Sequence, residues 1–142
     1  MPYEDLPAAE FGFPGPLRDR LVAAILAGDK TSTTGLAVEY EAAGEALPEP
    51  GDREAVLDSA GRRVAVIEIT AVRVLRLADV DLAHVLAEGE GDTSVAGWRA
   101  GHERFWHSPE VRDERGDPQF TVDDDTLVVA QAFRLIESQN PC

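Results

Sequence analysis

The chain has 142 residues and a formal net charge of −14, from 13 Lys and Arg against 27 Asp and Glu. That length fits one domain with a core of its own, and that charge excludes a broad basic face for duplex DNA or RNA while leaving room for a local basic pocket. With one cysteine, Cys142, three histidines, no 18-residue apolar run and no basic, apolar leader, neither a disulfide, a zinc motif nor a membrane segment is expected, and the reading is a cytoplasmic globule.

Residues 1 to 14 are rich in Pro and aromatic side chains and read as an irregular arm packed on the body. Pro16 suits a first helical turn, where its missing N–H is no loss. Leu17, Leu21, Val22, Ile25 and Leu26 recur at helical spacing and Gly28 is a natural C-terminal cap, so a helix is predicted over 16–27. A strand is expected to follow, and residues 42 to 52 carry turn and loop chemistry. Glu54 to Leu57 is short and partly apolar, and Asp58 to Gly61 reads as a hairpin turn. Arg63 to Leu75, rich in Val and Ile, is the best strand region. A short helix is predicted over 79–87, then another capped by Asp92 or Thr93 with Val95, Trp98, Phe105 and Trp106 on its apolar side and an Arg99–Glu103 pair. Residues 108 to 125 read as an exposed loop, and Thr126 to Ile136 as a closing strand. The sum is a small α+β domain, a mixed sheet or barrel with about three helices.

Three constellations stand out. Lys30 lies beside Thr31, Ser32, Thr33 and Thr34 just past the first helix. The plain account is a helix end, followed by a Thr-rich strand, favoured by the dipole; the functional one is a lysine whose pKa is lowered by partial burial, acting as base or nucleophile with a threonine hydroxyl placing substrate, or as an electrostatic stabiliser if it stays charged beside Glu90. Glu88, Glu90 and Asp92 alternate with glycines, as a solvated turn does, yet one of them buried against Lys30 would reduce the desolvation cost of both charges. Carboxylates so spaced can take a hard divalent cation, but no calcium-loop pattern supports one and no cofactor is expected. Trp98, His102, Phe105 and Trp106 lie at helical spacing and read mostly as core, with Trp98 also able to stack a base.

The series Phe11-Gly12, Leu26 to Thr33, Glu39-Tyr40-Glu41, Gly51-Asp52, Val66 to Thr70, Glu88 to Asp92, Trp98, His102 and Phe105 resembles the ASCH domain, in its bacterial branch of about 140 residues, over residues 11 to about 136. The resemblance implies a PUA-like small β-barrel with helices around a cleft and an association with RNA. It also implies a hydrolase: one branch deacylates acetylated cytidine, and a member of the larger branch is a ribonuclease on single strands. Within it, Gly28, Lys30 and Thr33 match the Gly-x-Lys-x-x-Thr motif of the deacylases, and Glu90 matches their distant glutamate. Gly35 stands where that branch has arginine.

The function so implied is a ribonuclease-like hydrolase of single-stranded RNA or of a modified nucleoside, with Lys30, Thr33 and Glu90 as catalytic residues. Two alternatives are an amidohydrolase for N4-acetylcytidine and a non-catalytic RNA or nucleotide-binding module. Thr31, Tyr40, Glu41, Asp92, Trp98 and His102 are the expected substrate-binding residues. Lys30 is expected to stay charged beside Glu90, with that charge making no core contact.

Overall fold

A computed structural model describes residues 5–138. The first helix, α1, is Pro16–Ala27, as its apolar stripe and caps predict. Gly28 ends it in the left-handed conformation, φ 84°, and its N–H returns to the last helical carbonyls. Leu21, Val22 and Ile25 are buried against the sheet side of a core that includes Phe11, Val56, Ile67 and Phe133. The arm packs on the body as expected: Phe11 meets Phe133 at 6.0 Å between ring centroids. It also contributes a two-residue strand, β1 (Ala8–Ala9), which the irregular reading did not include. Residues 1–4 of that arm lie outside the described residues.

Four further strands follow: β2 (Ser32–Leu36), β3 (Arg53–Leu57), β4 (Arg63–Arg76) and β5 (Leu127–Ser138). The order in the sheet is β1-β3-β4-β5-β2, with β1 parallel to β3 and the other pairs antiparallel. Register shifts between Val66 and Ile67 and between Ile69 and Ala71 interrupt the β4–β5 ladder, and such bulges bend and twist a strand. The expected barrel is not formed. The sheet remains open: β1, two residues long, and β2 are its two edges and do not pair.

The helices number five among the described residues rather than about three: α1, α2 (Ala37–Ala43), α3 (Leu82–Ala87), α4 (Val95–Trp106) and α5 (Pro109–Arg115). A 3-10 turn, Leu77–Asp79, separates β4 from α3, so that helix starts at the Asp81 cap rather than after Asp79. Ser94, not Asp92 or Thr93, caps α4, accepting the Gly97 N–H at 3.0 Å. α5 corrects the exposed-loop reading of 108–125: Ser108 caps it, Pro109 occupies its first turn, Gly116 ends it and Val111 is buried. A second core cluster (Leu36, Leu77, Val85, Trp98, Trp106 and Val128 among others) joins α3 and α4 to the sheet. No described helix is long and apolar enough to cross a membrane.

Candidate active site around Lys30 and Glu88

Two backbone contacts bring the distant polar clusters together. After α1, the Thr31 N–H donates to Ala87 O at 2.8 Å, at the end of α3. Gly89 then passes so close to the first segment that a Cβ on it would lie 2.1 Å from Asp29 O and 2.9 Å from Lys30 Cα, and its φ is +65°. Only glycine fits both the space and the left-handed backbone. The close approach delivers Lys30 to the inside of the Glu88–Glu90 turn.

Lys30 is 2% exposed, so its charge does make core contact, against expectation. Its Nζ donates to Ser32 O at 2.8 Å, Glu90 Oε2 at 2.9 Å and Glu88 O at 3.4 Å. Three acceptors around three N–H bonds suit an ammonium. Glu88 Oε1 adds its charge at 3.7 Å, and the Phe11 ring lies 6.0 Å away. The fully buried carboxylate is thus Glu88, with a side chain 1% exposed, while Glu90, at 23%, sits at the rim.

Glu88 holds a network of its own. Its Oε2 accepts the Thr34 hydroxyl at 2.6 Å and faces His84 Nε2 at 3.0 Å. Since the Thr34 proton goes to Glu88, the 2.7 Å contact between His84 Nε2 and Thr34 Oγ1 has the histidine as donor. Its Oε1 faces His102 Nε2 at 3.4 Å, and His102 Nδ1 donates to Trp98 O at 3.0 Å. With Trp98 O accepting at Nδ1 and the Glu88 charge 3.4 Å from Nε2, an ionic approach that leaves Glu88 Oε1 without a hydrogen bond, His102 is placed to carry a positive charge. Burial opposes the charge on Glu88, but His102, His84 and Lys30 outweigh it and hold the carboxyl far below the ordinary range. Burial likewise depresses His102, and the Glu88 carboxylate outweighs it, so its pKa is raised. Glu90 is raised, by burial first and by Glu88 second, against the lowering effect of Lys30.

The residues named from sequence divide on placement. Lys30, Thr33, Tyr40, Glu90, Asp92 and His102 line one cleft of about 810 Å³. The Thr33 hydroxyl makes no hydrogen bond among the described residues and is free for a ligand. Thr31 is exposed, its hydroxyl donating to Ala87 O at 3.3 Å, and Glu41 is exposed on α2; neither lines the cleft. Trp98 is fully buried and stacks on His102 at 4.2 Å, so its ring orients that histidine and offers no free face to a base. Glu88 and Thr34 stood in the two polar constellations read from sequence but were given no site role, and His84 was not named there. The signal for His84 was its i,i+4 spacing to Glu88 at the end of α3, one turn apart on one face.

Among the described residues, eight carboxylates and four Lys or Arg side chains line the cleft. Two of those four cations, Lys30 and Arg18, are already paired with carboxylates. Glu88, Glu90 and His102 bring ligand atoms within 4.8 Å of one another, as a divalent cation requires. The Lys30 ammonium already bonds Glu90 there, so a metal would compete with a resident cation.

The ASCH domain family model matches residues 8–137. The chain belongs to the ASCH domain family. The ASCH assignment agrees with solved structures. Protein EF3133 from Enterococcus faecalis V583 aligns with a TM-score of 0.80 at 25% identity, over 94% of this chain and 78% of that one. An ASCH domain from Lactobacillus crispatus JV V101 aligns with a TM-score of 0.73 at 27% identity, over 94% and 83%. A single-substitution mutant of the ZmASCH protein from Zymomonas mobilis shares the fold at 12% identity, with a TM-score of 0.51 over 89% and 67%. No curated protein matches the chain. What this ASCH domain presents is therefore a buried Lys–Glu–His cluster opening, through Thr33 and Glu90, onto a large acidic cleft.

Proposed function

We propose that this ASCH domain is a hydrolase for a modified nucleoside, removing an acyl group from the exocyclic amine of a base. The observation that carries the reading is the Lys30 ammonium, set between two carboxylates beside the free Thr33 hydroxyl on a cleft large enough to admit a nucleoside. The acyl-cytidine branch of the family, which shares the Gly28, Lys30 and Thr33 pattern, supports it.

The roles follow from position. Glu90, at the rim with a raised pKa, is the base that takes a proton from water. The water oxygen bonds to the acyl carbon, and the carbonyl oxygen becomes an oxyanion. Lys30 turns toward that oxyanion the N–H held most loosely, the one 3.4 Å from Glu88 O. The C–N bond then breaks, and the proton on Glu90 passes to the leaving amine. Thr33 holds the acyl group or the base edge. Glu88 stays ionised and keeps the ammonium in place.

A ribonuclease acting on single strands is less well supported. Eight carboxylates repel successive phosphates, and only Arg20 and Arg104 among the lining cations lack a carboxylate partner in the described residues. The test is to incubate the purified chain with N4-acetylcytidine and, separately, with single-stranded RNA. Release of acetate and cytidine supports the proposal. Cleavage of RNA without deacylation would move the assignment to a ribonuclease, and neither reaction would leave a binding module.

A further inference from the structure

Lys30 is buried, so no substrate atom reaches its ammonium until part of its surroundings moves. The side chain lies at the seam between the two hydrophobic clusters. On one side is Phe11, a member of the cluster that α1 shares with the sheet, with its ring 6.0 Å from Nζ. On the other side are Glu90 and Glu88, and Glu88 faces His102, which stacks on Trp98 of the second cluster.

An aromatic contact crosses that seam. Phe13, on the arm, meets Phe105, on α4, with ring centroids 5.8 Å apart; both are half-buried and both line the cleft. Phe105 packs against the second cluster, while Phe13 belongs to neither cluster among the described residues. Phe13 stands between Gly12, with φ 68°, and Gly15, with φ 135°, both in backbone conformations that favour glycine. The two ends of this segment are pinned to the body. Arg18 Nη2 donates to Gly12 O at 2.6 Å, and the Gly15 N–H donates to Ser59 Oγ at 2.9 Å. The pins hold the ends, so the residues between them are the ones able to swing, and the Phe13 ring is their tie to α4.

We infer that Phe13 and Phe105 form a latch over Lys30: residues 12–15 are a strap, the structure shows it closed, and the ammonium becomes reachable when the Phe13 ring leaves Phe105. A contact of one ring pair is weak enough to open by thermal motion and strong enough to keep the closed form dominant. Access to Lys30 is separate from the reaction carried out there, so the latch and the hydrolase reading are tested by different measurements.

Lys30 is the only lysine in the sequence, so reductive methylation of lysine reads a single site. The test is the methylation rate of the Lys30 peptide, followed by mass spectrometry, in wild type, Phe13→Ala, Phe13→Tyr and Val122→Ala. The chain unfolded in guanidinium chloride sets the unprotected rate, and thermal unfolding is run beside each variant. Val122 is buried in the second cluster and does not line the cleft, so Val122→Ala lowers stability without touching the latch. Phe13→Ala is expected to be methylated about tenfold faster than wild type, the size of one ring contact with its buried area. Phe13→Tyr, which keeps the ring, and Val122→Ala are expected to stay near the wild-type rate. Phe13→Ala at the wild-type rate overturns the latch, as does Phe13→Tyr labelling as fast as Phe13→Ala. Val122→Ala labelling as fast as Phe13→Ala also overturns it, because Lys30 would then be reached by unfolding of the core. A wild type methylated at the unprotected rate overturns it as well, because nothing would cover Lys30.

Discussion

Gly89 and Asp29 touch backbone to backbone: a Cβ on Gly89 would lie 2.1 Å from Asp29 O. This contact, 60 residues apart in sequence, docks the Glu88–Glu90 turn onto the end of α1 and makes the Lys30 cluster. Gly89→Ala is expected to cost about 3 kcal/mol or more, from the left-handed φ and from the forced separation of the two segments. A shift in urea midpoint between wild type and variant measures it. A midpoint shift that, multiplied by the m-value, comes to less than about 0.5 kcal/mol would mean that the turn can retreat without loss.

Lys30 and Glu88 form a pair with both side chains 1% exposed. Removing Lys30 leaves the buried Glu88 carboxylate with only His102, His84 and Thr34 to offset its charge, and removing Glu88 leaves Lys30 with Glu90. Lys30→Met is expected to destabilise by about 3–5 kcal/mol. Adding Glu88→Gln to it removes the carboxylate that has lost its ammonium, and the double variant is expected to recover part of the loss. Denaturant curves of the two single variants and the double variant close the cycle. Additive losses would mean that the two groups do not couple.

The pH dependence of stability has two arms. Glu88 is depressed in the folded state, so its contribution is present above the unfolded carboxylate range, near 4.5, and is lost as pH falls through the lower folded value. His102 is raised, so its contribution is fully present below its model value of 6.5 and is lost as pH rises through the folded value. Glu90, also raised, makes a contribution present below its model value of 4.5 and lost as pH rises. The imidazole proton shifts of His102 are therefore expected to titrate above 6.5, and Glu88→Gln is expected to bring the titration down. A His102 midpoint unchanged by Glu88→Gln would contradict the pairing.

Much of this was legible in the chain, and the gaps have physical causes. Pro16, the apolar stripe and Gly28 define α1 to the residue, since both caps and the period agree. α2 and α5, seven residues each, are too short to display a period. For α5 the caps alone, Ser108, Pro109 and Gly116, were the available signal. The open sheet rests on which edges pair, a long-range property with no local signature. The meeting of Lys30 with the acidic turn followed from the family pattern, but the choice between Glu88 and Glu90 did not. Flanking glycines mark both as turn residues, and only their burial, 1% against 23% of the side chain, separates the structural carboxylate from the one at the rim.

Glu90 is the residue on which the proposed chemistry turns most directly. Glu90→Gln keeps an oxygen for Lys30 and removes a carboxylate that burial has made costly to ionise, so unfolding is expected to move by less than about 1 kcal/mol. The measurement is the rate of N4-acetylcytidine deacylation by wild type and by Glu90→Gln at matched thermal stability. A fall in kcat of about 10²–10⁴ is expected for loss of a general base. A variant that deacylates at the wild-type rate would contradict the account.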